Sequence, residues 1–403
     1  MKNSVFGVTV ITVEKELKAL WPILDKTMVG CLLKTILECE PEDVSVVVGR
    51  EGGPILKYLK SFPSVTPIMH DSPEYHEWLN QFPHVFAFEC DLPFLRAPTI
   101  RSFVRGHIDS GADCSFLGDA PYALAFNPAL FTAATADVHV SRLFDLASLL
   151  NTAGLKTRTL ALDAREVPLI LNQTDLAEAT VRMRDAIVLK WMEKGVHVMD
   201  PRAVWVGPDV KLESGVSLMP GAQIWGNSFV GEGSVVGPYC ILRNATLGKG
   251  VHLVSNVIVE ESELYDYVKA GPFTYIREQS VLKERSFAGK FVEIKKTTIG
   301  SDSKVPHLSY MGDAILGENV NIGAGSVTCN YDGVNKHQTK IGDRCFVGSD
   351  TMMVAPITLG DDSVIGAGST ITTDVPPGAL AVGRARQKNL EGWALKKKQK
   401  KKQ

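Results

Sequence analysis

No CxxC pair occurs among the seven cysteines, Cys31, Cys39, Cys90, Cys114, Cys240, Cys329 and Cys345. Their odd number and scattered spacing exclude a disulfide framework and imply reduced thiols in a cytoplasm. No apolar run approaches the length of a membrane span. The opening Met1-Lys2-Asn3-Ser4 is followed too soon by Glu14, Lys15 and Glu16 to be a signal peptide. Charge of either sign is not in excess: the formal net charge is −2, which gives no global pull toward nucleic acid or membrane. The one charge run, Lys396 to Lys402, reads as a solvated end. Histidines are sparse where a metal site would need them. His252, His307 and His337 are the histidines of the repeat region described next, and they lack ligand-like spacing, which argues against a zinc hydratase.

What is present is a 403-residue chain, 45% apolar and 22% charged, long enough for two or three domains with ample core. A six-residue beat runs through its second half. An aliphatic residue recurs at Val206, Leu212, Leu218, Ile224, Val230, Val236 and Leu242, then at Leu316, Ile322, Ile341, Val347, Met353, Leu359, Ile365 and Ile371. Gly often follows the aliphatic residue, and a small residue such as Ser234 sits four positions on. A fixed period of this kind predicts a parallel β-helix, each hexad forming one side of a triangular coil. The segment Thr328 to Lys340, TCNYDGVNKHQTK, cannot be fitted to the beat and is expected to leave the prism as a loop.

The first half has different grammar. Val8–Ile11, Val44–Val48 and Val85–Phe88 read as buried strands, while Gly30 to Glu40 and Ser141 to Leu150 carry helical spacing. The alternation predicts an α/β, Rossmann-like sheet wound with helices over 1–175. A helix from about Thr174 to Lys194, ended by Gly195, forms a linker over 176–198. The β-helix is expected over 199–380 and a basic tail over 381–403.

Residues 271 to 384 hold polar groups that no hexad needs. GPFTYIRE carries Arg277; FVEIKK carries Glu293, Lys295 and Lys296; HLSYMGD carries His307, Tyr310 and Asp313. NIGAG adds Asn321 and Ala324, TCNYDGVNK adds Asn330, Tyr331 and Lys336, and FVGSDT adds Ser349. Arg277, Lys295 and Lys336 with a tyrosine suit a phosphate or phosphosugar, because Arg offers a planar fork and Lys a compact charge. His307 is the side chain here whose ordinary pKa lies near neutrality, which suits a general base.

The runs GPFTYIR, FVEIKK, HLSYMGDA, NVNIGAGSVTCNYDGVNK, FVGSDT, VAPITLG and EGWALKKK resemble the acetyltransferase domain of the bifunctional N-acetylglucosamine-1-phosphate uridylyltransferase/glucosamine-1-phosphate N-acetyltransferase family. The resemblance implies a nucleotidyltransferase-like first domain and a left-handed β-helix that forms homotrimers with active sites between subunits. It implies acetyl transfer from acetyl-CoA to glucosamine 1-phosphate, on the route to UDP-N-acetylglucosamine and cell-envelope polymers. His307 would take the proton from the sugar amine. Arg277, Lys295, Tyr310 and Asn321 match sugar-phosphate positions, and Asn330 and Lys336 match positions for substrate and acetyl placement. Ala324, Asn330, Tyr331, Ser349, Ala367 and Arg384 match acetyl-CoA contacts.

Against the same family the first half departs. Its members carry L-x-x-G-x-G-T-R-M after the first strand, whose backbone amides cradle nucleotide phosphates. Here the stretch reads VTVITVEKELKALWPIL, with no glycine between Gly7 and Gly30 and with Ile23 where a cation is expected after the proline. Glu14 and Glu16 would repel a triphosphate, and the domain is some tens of residues short. SVVVGREGG resembles a family strand and loop, and Asp91 and Asn172 fall where metal-binding residues are expected. They read as remnants of a Mg²⁺ site, with uridylyl transfer lost. Other readings are a bifunctional enzyme that retains UTP chemistry, a hexapeptide acetyltransferase for another phosphorylated amino sugar, and a non-catalytic scaffold.

Overall fold

The computed structural model describes residues 5–13, 15–70, 72–118, 122–130, 154–168 and 170–394. The chain divides into two compact units, Met1–Arg184 and Asp185–Gln403. The helical spacing noted over 141–150 and the lysine run 396–402 lie outside the described residues.

In the first unit, the Val-rich runs form strands because they are buried on both faces, as parallel sheets require. Val65–Met69, Asp43–Val48, Gly7–Ile11 and Val85–Glu89 lie side by side and parallel; Ala123–Phe126 then enters antiparallel, followed by Cys114–Leu117 and Thr157–Leu160. The helix expected from Gly30 runs Met28–Leu37, with the Thr27 side chain accepting from the Gly30 amide at its start. Strand order reverses direction between Gly7–Ile11 and Val85–Glu89. In open α/β sheets the ligand crevice lies beyond the carboxyl ends of strands at such a point, here at residues 12–18 and 89–91.

The helix Gln173–Glu193 begins where Asn172 Oδ1 accepts from the amides of Thr174 (2.8 Å) and Asp175 (3.0 Å). It ends before Gly195, at φ +88°, which only glycine adopts without strain.

The second unit is a left-handed parallel β-helix. Three sheets of 11, 10 and 9 short parallel strands form its faces, from His197–Val198 to Leu380–Ala381. A single column of aliphatic side chains fills the axis, and removing each from water contributes about 1.5–3 kcal/mol. The strict six-residue beat loses this column after Leu242, but the structure does not. Leu242 to Leu247, Val259 to Leu264, Ile294 to Ile299 and Met311 to Leu316 are steps of five residues, each moving the phase by one while the interior position stays filled. Buried serines bind one coil to the next. Ser303 Oγ donates to Gly317 O (2.7 Å) and accepts from Val320 N (2.9 Å).

The extruded loop starts later than the sequence suggests. Thr328 is fully buried and holds a place in the interior column. Its hydroxyl accepts from Gly312 N (2.7 Å) and donates to Gly312 O (3.0 Å), so a polar residue replaces an aliphatic one without an unpaired group. The chain leaves the prism after Cys329 and returns at Thr339–Ile341, where Ala314 pairs with Thr339.

Candidate active site

Strand register converts sequence spacing into a cation cluster. Arg277 pairs with Lys295, and Lys295 with Gly312, at the ends of adjacent strands on one face. Arg277 donates to Glu293 Oε1 through Nε (3.0 Å) and Nη2 (2.7 Å), and through Nη1 to Glu278. Glu278 Oε2 lies 3.4 Å from Lys295 Nζ. Lys295 is largely buried although it is a lysine, a position a charge holds when partners replace water.

The extruded loop brings Lys336 beside Lys295. Lys295 holds its proton above the ordinary lysine value, first through its hydrogen bond with Lys336 and then through Glu278. Lys336 is held below the ordinary value by its hydrogen bond with the Lys295 ammonium and by that charge. Asp332 builds the loop by accepting from the amides of Val334 (2.8 Å) and Asn335 (2.6 Å) and from His337 Nε2 (2.7 Å). At its root Asn330 is buried, with Nδ2 donating to Asp313 Oδ2 (2.6 Å) and lying 3.4 Å from Tyr310 Oη. An open groove of about 560 Å³ runs along this face past Tyr275, Glu293, Ser309 and Tyr310, bordered by the stacked rings of Phe273 and Phe291.

A second column stands at a neighbouring corner. Lys304 pairs with Asn321, Ile322 with Val347, and Val347 with Ile365; extending that register puts His307, Ala324, Ser349 and Ala367 one above another. The amide of Asp350 donates to Ala324 O (2.7 Å) and that of Gly368 to Ser349 O (2.8 Å), continuing the ladder through the corner. The coils approach so closely that a Cβ on Gly323 would meet Ser349 N at 2.3 Å and one on Gly348 would meet Ala367 N at 2.5 Å. Arg384 reaches over the top of the column, its Cδ 3.8 Å from a Cβ built on Gly368. His307 is exposed at the foot, and its ring bonds no other described side chain. Ser309 Oγ donates to His307 O (2.7 Å) and fixes the corner.

The structure therefore gathers Arg277, Lys295, Tyr310, Asn330 and Lys336 in one cluster, and His307, Ala324, Ser349, Ala367 and Arg384 in one column. Asn321 does not join the cluster within this chain. It lies on the His307 face, paired with Lys304 and Phe346, because strands from successive corners face different directions. Tyr331 is exposed on the loop, its hydroxyl donating to Gly333 O (2.6 Å). Sequence reasoning missed Glu278; its signal is an acidic residue directly after the arginine of GPFTYIRE.

In the first unit the crevice at the sheet's reversal point is filled by ion pairs. Lys15 Nζ lies 2.9 Å from Glu89 and 3.4 Å from Asp91, and Lys18 Nζ lies 2.5 Å from Asp91. Burial pushes the Asp91 carboxyl up, but Lys15 and Lys18 outweigh it and hold the group below its ordinary value. Glu16 Oε1 accepts from Gly49 N (3.1 Å), and Ile23 is fully buried in the short hairpin of Pro22–Ile23 with Lys26–Thr27. Glu14 lies outside the described residues. The residues do not fit a Mg²⁺ ion: two ammonium groups occupy the Asp91 carboxylate, and the Asn172 oxygen caps a helix.

Together the prism and its sites define a transferase of the hexapeptide-repeat class, joined to a nucleotidyltransferase-like α/β unit. Residues 338–373 match the family described as hexapeptide repeat of succinyl-transferase. The chain belongs to the family of the bifunctional protein GlmU. It is 35% identical over 375 residues to that protein of Desulfitobacterium hafniense, covering 82% of each chain. With the protein of the same name from Streptomyces avermitilis it shares 42% over 257 residues, 64% of this chain but 53% of that one. So the match spans about half the length of some relatives and most of others. Among solved structures, 4-diphosphocytidyl-2C-methyl-D-erythritol synthase from Anaerococcus prevotii is 12% identical, with a TM-score of 0.37 over 45% of this chain and 98% of that one. Among the described residues no helix is long and apolar enough to cross a membrane.

Proposed function

We propose that the protein transfers the acetyl group of acetyl-CoA to the amine of glucosamine 1-phosphate, and that its first unit no longer transfers uridylyl groups. The observation that carries the first part is the column with His307 at its foot, next to a face bearing three cations. The phosphate is held by Arg277, Lys295 and Lys336, with Tyr310 and Asn330 turned to the sugar, and Asn321, on the His307 face, meets it from a neighbouring subunit. The pantetheine arm lies along Ala324, Ser349 and Ala367, whose small side chains leave the corner open. Tyr331 and Arg384 meet the nucleotide end of CoA.

An ammonium has no lone pair, so the acceptor must lose a proton before it attacks. His307 takes that proton and releases it to solvent, the nitrogen adds to the thioester carbonyl, and as the C–S bond breaks the acylated nitrogen sheds a second proton to the free imidazole. The proton then passes to the departing sulfur as CoA thiol. General base catalysis of this type contributes about 10²–10⁴-fold. A homotrimer is the working form that the resemblance implies, and reduced cysteines fit a cytoplasmic setting.

For the first unit, the ion pairs at Asp91 support loss of nucleotide chemistry, since a metal-bound triphosphate would have to displace Lys15 and Lys18. The product would pass to a separate nucleotidyltransferase. Two assays on the full chain test both halves. Thiol release should require acetyl-CoA and glucosamine 1-phosphate together. Pyrophosphate release from UTP, N-acetylglucosamine 1-phosphate and Mg²⁺ should be absent. Failure of the first, or turnover in the second, overturns the corresponding half.

A further inference from the structure

We propose that Glu278 is an electrostatic latch on the acceptor site, which the phosphate must displace, so that it sets affinity and selectivity for phosphorylated acceptors. This rests on the reading of Arg277, Lys295 and Lys336 as the phosphate cradle.

One carboxylate touches two of the three cations: Glu278 bonds Arg277 Nη1 through one oxygen and lies 3.4 Å from Lys295 Nζ through the other. It also draws on the charge of Lys336. The cluster sets Arg277, Lys295 and Lys336 against Glu278, Glu293 and Asp313, so its carboxylates are at least as many as its charged cations. A phosphate dianion entering such a site meets no net positive charge unless a carboxylate leaves. Glu293 is not the one to leave. It sits on the strand Val292–Lys295, paired on both sides by Tyr275 and Tyr310, and receives Arg277 through two nitrogens. Asp313 is held by the buried Asn330.

Glu278 stands at a corner with φ +52°, its side chain 47% exposed, free to swing outward on its own rotatable bonds. The same left-handed corner recurs at Glu261 and Lys296 in the coils on either side, so the fold sets this backbone and the side chain is what distinguishes the position. An acceptor without phosphate cannot compete for Arg277 and Lys295, and the latch stays shut against it. An anion that offers one oxygen to Arg277 Nη1 and a second to Lys295 Nζ replaces the carboxylate with like geometry.

The test is calorimetric titration of the full chain with glucosamine 1-phosphate and with glucosamine, alongside KM and kcat, for wild type, Glu278→Gln and Arg277→Ala. Glu278→Gln keeps the shape and removes the charge. The affinity for glucosamine 1-phosphate should rise by about two- to fivefold, the range of partly exposed ion pairs, with the change in KM rather than kcat. Glucosamine binding should not change. A rise in KM in Glu278→Gln would instead make Glu278 a direct partner of the acceptor, and no change would make it a bystander; either overturns the latch. If Arg277→Ala leaves phosphate affinity intact, the cradle itself is wrong. If Arg277→Ala weakens binding while Glu278→Gln has no effect, the latch alone fails.

Discussion

Lys18 Nζ lies 2.5 Å from Asp91 Oδ2, inside the crevice where the sheet of the first unit reverses its strand order. The Asp91 side chain is 16% exposed, so it depends on that ammonium and on Lys15 for its charge. Lys18→Ala leaves the carboxylate with Lys15 alone and should cost about 1–3 kcal/mol, measured by urea unfolding. Wild-type melting should not shift when Mg²⁺ or Mn²⁺ is added. Stabilisation of the wild type by either ion would show that the crevice still prefers a metal. Because the folded Asp91 pKa is lowered, its contribution is present above the ordinary carboxylate range and disappears as pH falls below it.

His107 gives the first unit an acid limb at milder pH. The ring is buried, with Nδ1 2.8 Å from Ser115 Oγ, and it meets the His84 ring edge-on at 5.1 Å. Burial first, and His84 second, push its pKa down to about 4. The unfolded chain takes up the proton near pH 6.5 while the folded one does so only near 4. Stability is therefore full above about 6.5 and declines toward 4, by about 3 kcal/mol. Urea midpoints at pH 7.5 and pH 5 should differ in wild type, and His107→Gln should flatten the difference. An equal slope in the variant would assign the acid limb to other groups.

Thr328→Val restores an aliphatic residue to the interior column yet should destabilise the prism. It removes the acceptor for the buried Gly312 amide and a donor to Gly312 O. An orphaned buried amide costs about 1–3 kcal/mol, more than the added methyl returns. A melting temperature equal to or above wild type would mean that the coil relaxes to find that amide another partner.

The prism was legible because burial at one position per side imposes a period on the chain. Where a side shortens by one residue, as from Leu242 to Leu247, the same column persists but a template of fixed period loses phase. Thr328 was hidden for a related reason: a hydroxyl that satisfies both groups of Gly312 stands where apolar residues are expected. Within the site, residue types gave the chemistry, but only register could separate Asn321 from the cluster and line up His307 with Ala324. The lysines that fill the first unit's crevice lie over seventy residues from Asp91 in sequence, beyond the reach of any local pattern.

The general-base role of His307 is tested most directly by thiol release from acetyl-CoA in the presence of glucosamine 1-phosphate, comparing wild type with His307→Ala across pH. The account predicts a fall in kcat of about 10²–10⁴-fold, with acceptor affinity by calorimetry unchanged. CoA released by the variant at the wild-type rate would contradict it.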